Sequence, residues 1–217
     1  MNINKDKELV LSWDYGFRHP NCTIHQMSAE GIWIIVDNLF GEDQTIDEFG
    51  EYVREYLNQF YQGYTWRHRG FGDPAGRQSS DKSRKSSEQI LNDLGFKVTS
   101  IPSNHVYANY AARKAIIEKR LRTLIGGIPS LVINDVPNNQ IIVEGFEGGY
   151  RLPDANKYGG INEKPVEDGW FEHPMNCVEY FAVNMFRPVE QKERPRPAVD
   201  MLAKKKEREL VNAGIGY

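Results

Sequence analysis

The stretch Leu9-Val10-Leu11-Ser12-Trp13-Asp14-Tyr15-Gly16 sets the architecture. Leu9 to Trp13 is a short, mostly apolar run, and the Asp-Tyr-Gly that follows supplies turn formers, so the segment reads as a buried strand stopped by a turn. Asp14 is therefore expected where a central strand opens to solvent. A second apolar run, Gly31 to Asp37, reads as a neighbouring strand, and Cys22 to Met27 between them as its antiparallel partner, giving a three-stranded meander.

Downstream the periodicity changes. Thr45 followed by Glu48 is a capping-box pattern, and Phe49, Tyr52, Val53, Tyr56, Leu57 and Phe60 recur at helical spacing, which predicts an amphipathic helix whose aromatics pack against the sheet. Trp66 to Asp73 reads as a short strand ending in Gly72-Asp73-Pro74-Ala75-Gly76. The polar stretch Arg77 to Ser87 reads as a mobile loop or helix approach. Ser87 to Leu94 predicts a helix closed by Gly95, and Phe96 to Ile101 a strand, completing a β-α-β unit. Tyr107 to Ile125 is the longest helical pattern, with Ala111, Ala112, Ala115, Ile116, Leu121, Leu124 and Ile125 expected inward and Gly126-Gly127 ending it. Ser130 to Asn134 and Gln140 to Glu144 flank Pro137-Asn138-Asn139 as strand and turn. Phe146 to Leu152 is less regular, and His173 to Phe186 predicts a last helix that covers the sheet with Val178, Phe181, Ala182 and Met185. The expected class is α/β: one domain over residues 1–186, then a Pro-rich linker and charged tail over 187–217.

Composition narrows the function classes. The 217 residues are 40% hydrophobic and 26% charged with a net charge of −3, ordinary for a globular protein. Two cysteines, Cys22 and Cys177, match neither a disulfide framework nor a zinc site. No stretch approaches the roughly 18 apolar residues of a membrane span, and the N-terminus has no signal-peptide core, so an intracellular protein with no membrane contact is expected. Charge is unevenly spread: residues 31–60 hold seven Asp/Glu against Arg54, whereas residues 61–125 hold twelve Lys/Arg against five Asp/Glu. A basic middle of this kind suits phosphate binding, with a solvated helix face as the alternative.

The chemistry lies in the carboxylates. Asp14 ends the first strand, Asp73 sits in a Gly-Asp-Pro loop after another, and Glu167-Asp168-Gly169-Trp170-Phe171-Glu172-His173 leads into the last helix. Magnesium or manganese takes hard oxygen ligands, and carboxylates from separate elements can hold two ions about 3.5–4 Å apart, one on the attacking water and one on the leaving oxygen. Such an arrangement suits phosphodiester hydrolysis. A strand-end Asp is also a common turn former, and the residues by themselves leave both readings open.

The segments Trp13-Asp14-Tyr15-Gly16, Gly72-Asp73-Pro74-Ala75-Gly76, the helix bearing Asn109 and Arg113, Leu131-Val132-Ile133-Asn134, Glu144 to Tyr150 (EGFEGGY) and His173 to Tyr180 (HPMNCVEY) come in an order that resembles the nuclease domain of tailed-phage large terminase subunits, over roughly residues 9–186. The resemblance implies a ribonuclease H-like mixed sheet flanked by helices. It also implies a metal-dependent endonuclease that cuts concatemeric double-stranded DNA during genome packaging in the host cytoplasm. Asp14 and Asp73 are the implied metal ligands, with Mg2+ or Mn2+ in a two-metal site. Asn176 matches a position where the family usually has a third Asp, and His173 matches the family's histidine, able to orient a water or contact the scissile phosphate. An amide at 176 ligates without adding charge, so the second ion should bind less well, and Glu172 or Asp168 are candidate substitutes. Glu179 stands where the family usually has an Arg.

Implied partners are the terminase ATPase domain, the portal protein and the small terminase subunit. The ATPase half requires a G-x-x-x-x-G-K-[ST] loop, which this sequence lacks, so it reads as an excised domain or a split gene. For DNA contacts the expectation falls on Arg77, Lys82, Arg84 and Lys85 beside Asp73, and on Lys114 and Arg120 of the long helix. A related resolvase-type nuclease and a nuclease-silent DNA-binding or docking domain are the competing readings, the latter encouraged by Asn176 and the basic middle.

Overall fold

The computed structural model describes residues 1–16, 18–66, 68–77, 85–153 and 164–188. Eight strands and five α-helices are named in chain order: β1 Leu9–Asp14, β2 Asn21–Met27, β3 Trp33–Phe40, α1 Ile46–Phe60, β4 Gly70–Gly72, α2 Ser87–Asp93, β5 Val98–Thr99, α3 Tyr110–Arg122, β6 Leu124–Ile125, β7 Ile128–Pro129, β8 Leu131–Ile133, α4 Gln140–Glu144 and α5 Glu172–Phe186. Six strands form one sheet in the order β5-β4-β1-β2-β3-β8. β1, β2 and β3 pair antiparallel as the expected meander, while β4 joins β1, β5 joins β4 and β8 joins β3 in parallel.

Alternation along β1 divides the protein into layers. Leu9, Leu11 and Trp13 face a core closed by Phe49, Val53 and Leu57 of α1 and Leu91 of α2. Val10 faces the opposite core, where Ile117 of α3, Ile142 of α4 and Met175, Val178 and Phe181 of α5 pack. Trp13 meets Phe96 and Phe49 edge-on at 4.8 and 6.1 Å between centroids. Each such side chain withdrawn from water contributes about 1.5–3 kcal/mol.

The α5 face also carries a polar row. His25 is wholly buried, and desolvation pushes its imidazole well below the ordinary range, so it is neutral. Trp33 Nε1 donates to its Nδ1 at 3.1 Å, which leaves the proton on Nε2 to donate to Ser12 Oγ at 2.7 Å. Phe181 stacks on this imidazole at 4.1 Å.

The capping boxes at Thr45 and Ser86, the latter one residue ahead of the expected helix, both form. Four expectations need correction. In α1, Phe49 is buried, but Tyr52 and Phe60 are 41% and 59% exposed, because they lie on the far side of the helix from the sheet. In α3 the inward residue is Ile117, with Ile116 partly buried beside it, whereas Ala111, Ala115 and Leu121 are exposed. This helix is also shorter than the sequence pattern: Asn109 caps it, and Leu124 and Ile125 pair with Ile128 and Pro129 across Gly126-Gly127. Both glycines have positive φ (57° and 84°), the requirement of a two-residue hairpin turn, so they make a hairpin rather than a helix end. Gln140–Glu144 is helical, entered through a turn begun by Pro137, which is pre-set for a first helical position. Residues 189–217 of the expected tail lie outside the described residues.

The two Gly-Asp motifs form one unit. Trp13 is in register with Gly72, and the amide of Asp73 donates to the Trp13 carbonyl at 3.2 Å. A Cβ on Gly72 or Gly76 would collide with the ring of Tyr15, so these glycines make the slot that the ring fills. Gly76→Ala should therefore cost about 1–3 kcal/mol of stability, the scale of overpacking. In a Tyr15→Ala background the same change should cost much less, as read by denaturant unfolding. Equal costs in the two backgrounds would show that the ring is not the obstacle.

Candidate metal-binding and catalytic site

Asp14 and Asp73 stand at the adjacent ends of two parallel strands, one residue past the last paired position. By strand alternation both follow the side chains that face α5, Val10 and Phe71. The last helix supplies what meets them. His173 Nδ1 lies 2.7 Å from Asp14 Oδ1, and Asn176 Nδ2 donates to Asp14 Oδ2 at 3.2 Å. The amide of Gly16 completes the set on Oδ1 at 3.1 Å, which lets a carboxylate only 4% exposed keep its charge-bearing oxygens partnered. A Cβ on Gly16 would stand 2.6 Å from His173 Cε1, so only glycine lets the imidazole come this close.

Burial opposes protonation of His173, but its hydrogen bond to Asp14 and the charges of Asp14, Glu172 and Asp168 outweigh that and raise its pKa. Its Nε2 lies 3.6 Å from Glu172 Oε1. Glu172 and Asp168 are otherwise occupied in tying down the loop ahead of α5: Glu172 accepts from the amides of Asp168, Gly169 and Trp170, and Asp168 from those of Trp170 and Phe171. Both carboxylates therefore have work as anchors of the loop.

A second layer backs Asn176. Tyr150 Oη lies 3.4 Å from Asn176 Oδ1 and 3.0 Å from Glu179 Oε1. Glu179 is 1% exposed, and Arg113 Nε of α3 lies 3.0 Å from its Oε2, an ionic contact too poorly aligned to count as a hydrogen bond. Burial pushes the Glu179 carboxyl up, Arg113 and Tyr150 pull it back, and it settles at about 7. Tyr150 ends the Glu144–Tyr150 motif, whose glycines fit it against α5: a Cβ on Gly145 would hit Met175, and one on Gly149 the ring of Phe171.

Among the described residues no group of three His, Cys, Asp or Glu side chains is placed to hold a metal. The potential donors are two carboxylates and an amide. The Asn176 amide atom facing Asp14 is 3.2 Å from its oxygen. The edge of an oxygen octahedron around a dication with bonds of about 2.1 Å is about 3.0 Å, so the spacing suits a shared cation only once the amide is turned to present its oxygen.

Of the residues expected to contact DNA, the described ones do not share one element. Arg77 ends the turn after Asp73, and Lys82 and Arg84 lie outside the described residues. Lys85 donates to Asp93 at 2.6 Å, and Lys114 lies 3.7 Å from Glu118 on the exposed face of α3. Arg120 is taken up by the fold: it donates to the carbonyls of Gly31 and Ser130 and lies over Phe186 at 4.5 Å. Sequence reading flagged Glu179 only as a departure and gave Tyr150 no role, since nothing local signals contacts 26 and 29 residues away.

No protein-family model and no curated protein matches this sequence. Among solved structures, the chain is similar to the large terminase of the thermophilic bacteriophage D6E, at 15% identity and a TM-score of 0.56 over 82% of this chain and 40% of that one. The ADP complex of the same protein gives 0.59 over 83% and 40%. The nuclease domain of g2p, the large terminase of bacteriophage SPP1, solved with bound Mn, is 14% identical over 82% of this chain and 85% of that one, with a TM-score of 0.48. The chain thus spans less than half of the D6E protein. At these identities the likeness to the D6E terminase is one of fold: a ribonuclease H-like α/β domain with a six-stranded mixed sheet flanked by helices.

Glu179 gives the site a pH signature. Its folded pKa is raised from 4.5 to about 7, so the stability it contributes is complete below 4.5 and is lost as pH rises to about 7. Glu179→Gln should remove that loss. Denaturant unfolding across this range should show the variant gaining on the wild type by a few kcal/mol at most, at about 1.4 kcal/mol per pKa unit, with no further change above it. Parallel stability curves would mean that Glu179 does not titrate in this window.

Proposed function

We propose that this chain is a divalent-metal-dependent DNA endonuclease, acting as the nuclease part of a packaging motor that cuts concatemeric double-stranded DNA. The observation that carries this reading is that Asp14 and Asp73 end two neighbouring parallel strands, with His173 and Asn176 of the last helix hydrogen-bonded to Asp14. Asp14, Asp73 and the Asn176 amide would hold magnesium or manganese. Such a cation supplies an activated water and neutralises charge on a phosphodiester. His173, held by Asp14 at 2.7 Å, orients that carboxylate and keeps a proton available at the edge of the site. Gly16 and the loop tied down by Asp168 and Glu172 fix where the imidazole stands.

On this reading the substrate strand lies over the ends of β1 and β4, with phosphate contacts from Arg77, Lys82, Arg84, Lys85 and Lys114. The ATPase domain, the portal protein and the small subunit are the proposed partners, and the host cytoplasm the place of action. Among the described residues no helix is long and apolar enough to cross a membrane. A second reading, a nuclease-silent DNA-binding or docking domain, is favoured by the neutral amide at 176 and the basic middle of the sequence.

Metal-dependent nicking of plasmid DNA separates the two readings. Asp14→Asn and Asp73→Asn should each cut the rate by about 100-fold or more, since even outer-shell partners of metal ligands are worth 10–100-fold, while the protein stays folded. Wild-type nicking should favour manganese, which accepts a mixed donor set more readily than magnesium, and Asn176→Asp should raise the rate and relax that preference. DNA affinity should fall with salt at about 0.9 log units per neutralised phosphate. Full activity in either Asp variant would sink the site, and no nicking with any divalent ion would favour the docking domain.

A further inference from the structure

Tyr150 has one proton and two acceptors. Its oxygen lies 3.0 Å from Glu179 Oε1 and 3.4 Å from Asn176 Oδ1, and a phenol can donate to only one of them at a time. Glu179, buried and against Arg113, is the stronger and nearer acceptor. With the proton on that side, the Tyr150 lone pairs face the Asn176 oxygen, while the amide nitrogen faces Asp14.

Turning the Asn176 amide over resolves this. Its nitrogen then donates to Tyr150, Tyr150 donates to Glu179, and Glu179 keeps Arg113, so each group in the chain has a partner of opposite sense. The Asn176 oxygen then faces Asp14 Oδ2, an arrangement repulsive by itself and favourable once a cation lies between them. We propose that Tyr150, held by Glu179 and Arg113, is a positioning residue that takes the Asn176 amide N–H and thereby lets a neutral side chain present its oxygen to a divalent cation beside Asp14. This rests on the metal-site reading above. It assigns to the Arg113–Glu179 pair, which reaches from α3 to α5, the task of fixing the direction of the Tyr150 hydroxyl.

The chain of donors distinguishes this role from ordinary packing, because it matters only while residue 176 carries an amide. The experiment is manganese binding to the full chain without DNA, followed by the loss of the free-ion paramagnetic resonance signal. It is carried out well above the value of about 7 at which Glu179 titrates. Tyr150→Phe should weaken binding about tenfold, within the 10–100-fold range of outer-shell partners. In an Asn176→Asp background, with no N–H to receive, the same change should alter binding by no more than about twofold.

Glu179→Gln is the second arm. Arg113 holds the glutamine oxygen, the glutamine nitrogen donates to Tyr150, and the phenol proton turns to the Asn176 oxygen, so this variant should also bind manganese more weakly and again only with Asn at 176. Equal losses in the two backgrounds, for either variant, would overturn the proposal and leave the metal site standing. Absence of manganese binding by the wild-type chain would overturn both.

Discussion

The site depends on one buried carboxylate. Asp14 ends the central strand at 4% exposure, and an ion in that position is tolerable only with donors on both oxygens. Gly16, His173 and Asn176 provide them, two of the three from α5. The same helix buries Val178, Phe181 and Ala182 against the sheet, so the apolar contact that seats α5 and the polar contact that satisfies Asp14 fix each other's register. Sliding the helix by one turn would displace both. This coupling keeps His173 and Asn176 beside the strand ends.

Close approach of backbone to ring is the second constraint, and glycine meets it at each junction. Gly72 and Gly76 admit Tyr15, which draws the Asp73 loop against the end of β1. Gly16 admits His173, Gly145 admits Met175 and Gly149 admits Phe171. Two sequence motifs that are far apart in the chain therefore meet at the start of α5, and a third is held to the first of them through Tyr15. Their glycines serve contact rather than unusual dihedrals, since none of these five has positive φ.

Much of this was legible in the sequence where the signal is local. The β1–β3 meander follows from short apolar runs broken by turn formers, α1 from its capping box, α2 from a helical run closed by Gly95, and the strand-end positions of Asp14 and Asp73 from the turn residues that follow them. The α3 pattern misled because that helix does not bury an alanine and leucine stripe. Arg113 and Arg120 lie on the side that packs, ion-paired to Glu179 and hydrogen-bonded to backbone carbonyls, and an apolar count cannot weigh charged side chains in that role. Gly126-Gly127 reads equally as a helix stop or a hairpin turn until the pairing of Leu124 with Pro129 decides. The Tyr150 contacts were illegible for another reason: they depend on the whole sheet being assembled first.

Asn176 and Glu179 are physically linked. They lie one helical turn apart and share the Tyr150 hydroxyl. An aspartate at 176 facing a buried glutamate at 179 would place two like charges on one donor, which raises the pKa of at least one of them and weakens the metal-free fold. With an amide at 176, the glutamate can remain paired with Arg113 and the hydroxyl need serve only one anion. The negative charge of this pair thus sits one turn along α5 from residue 176, away from Asp14 and against Arg113.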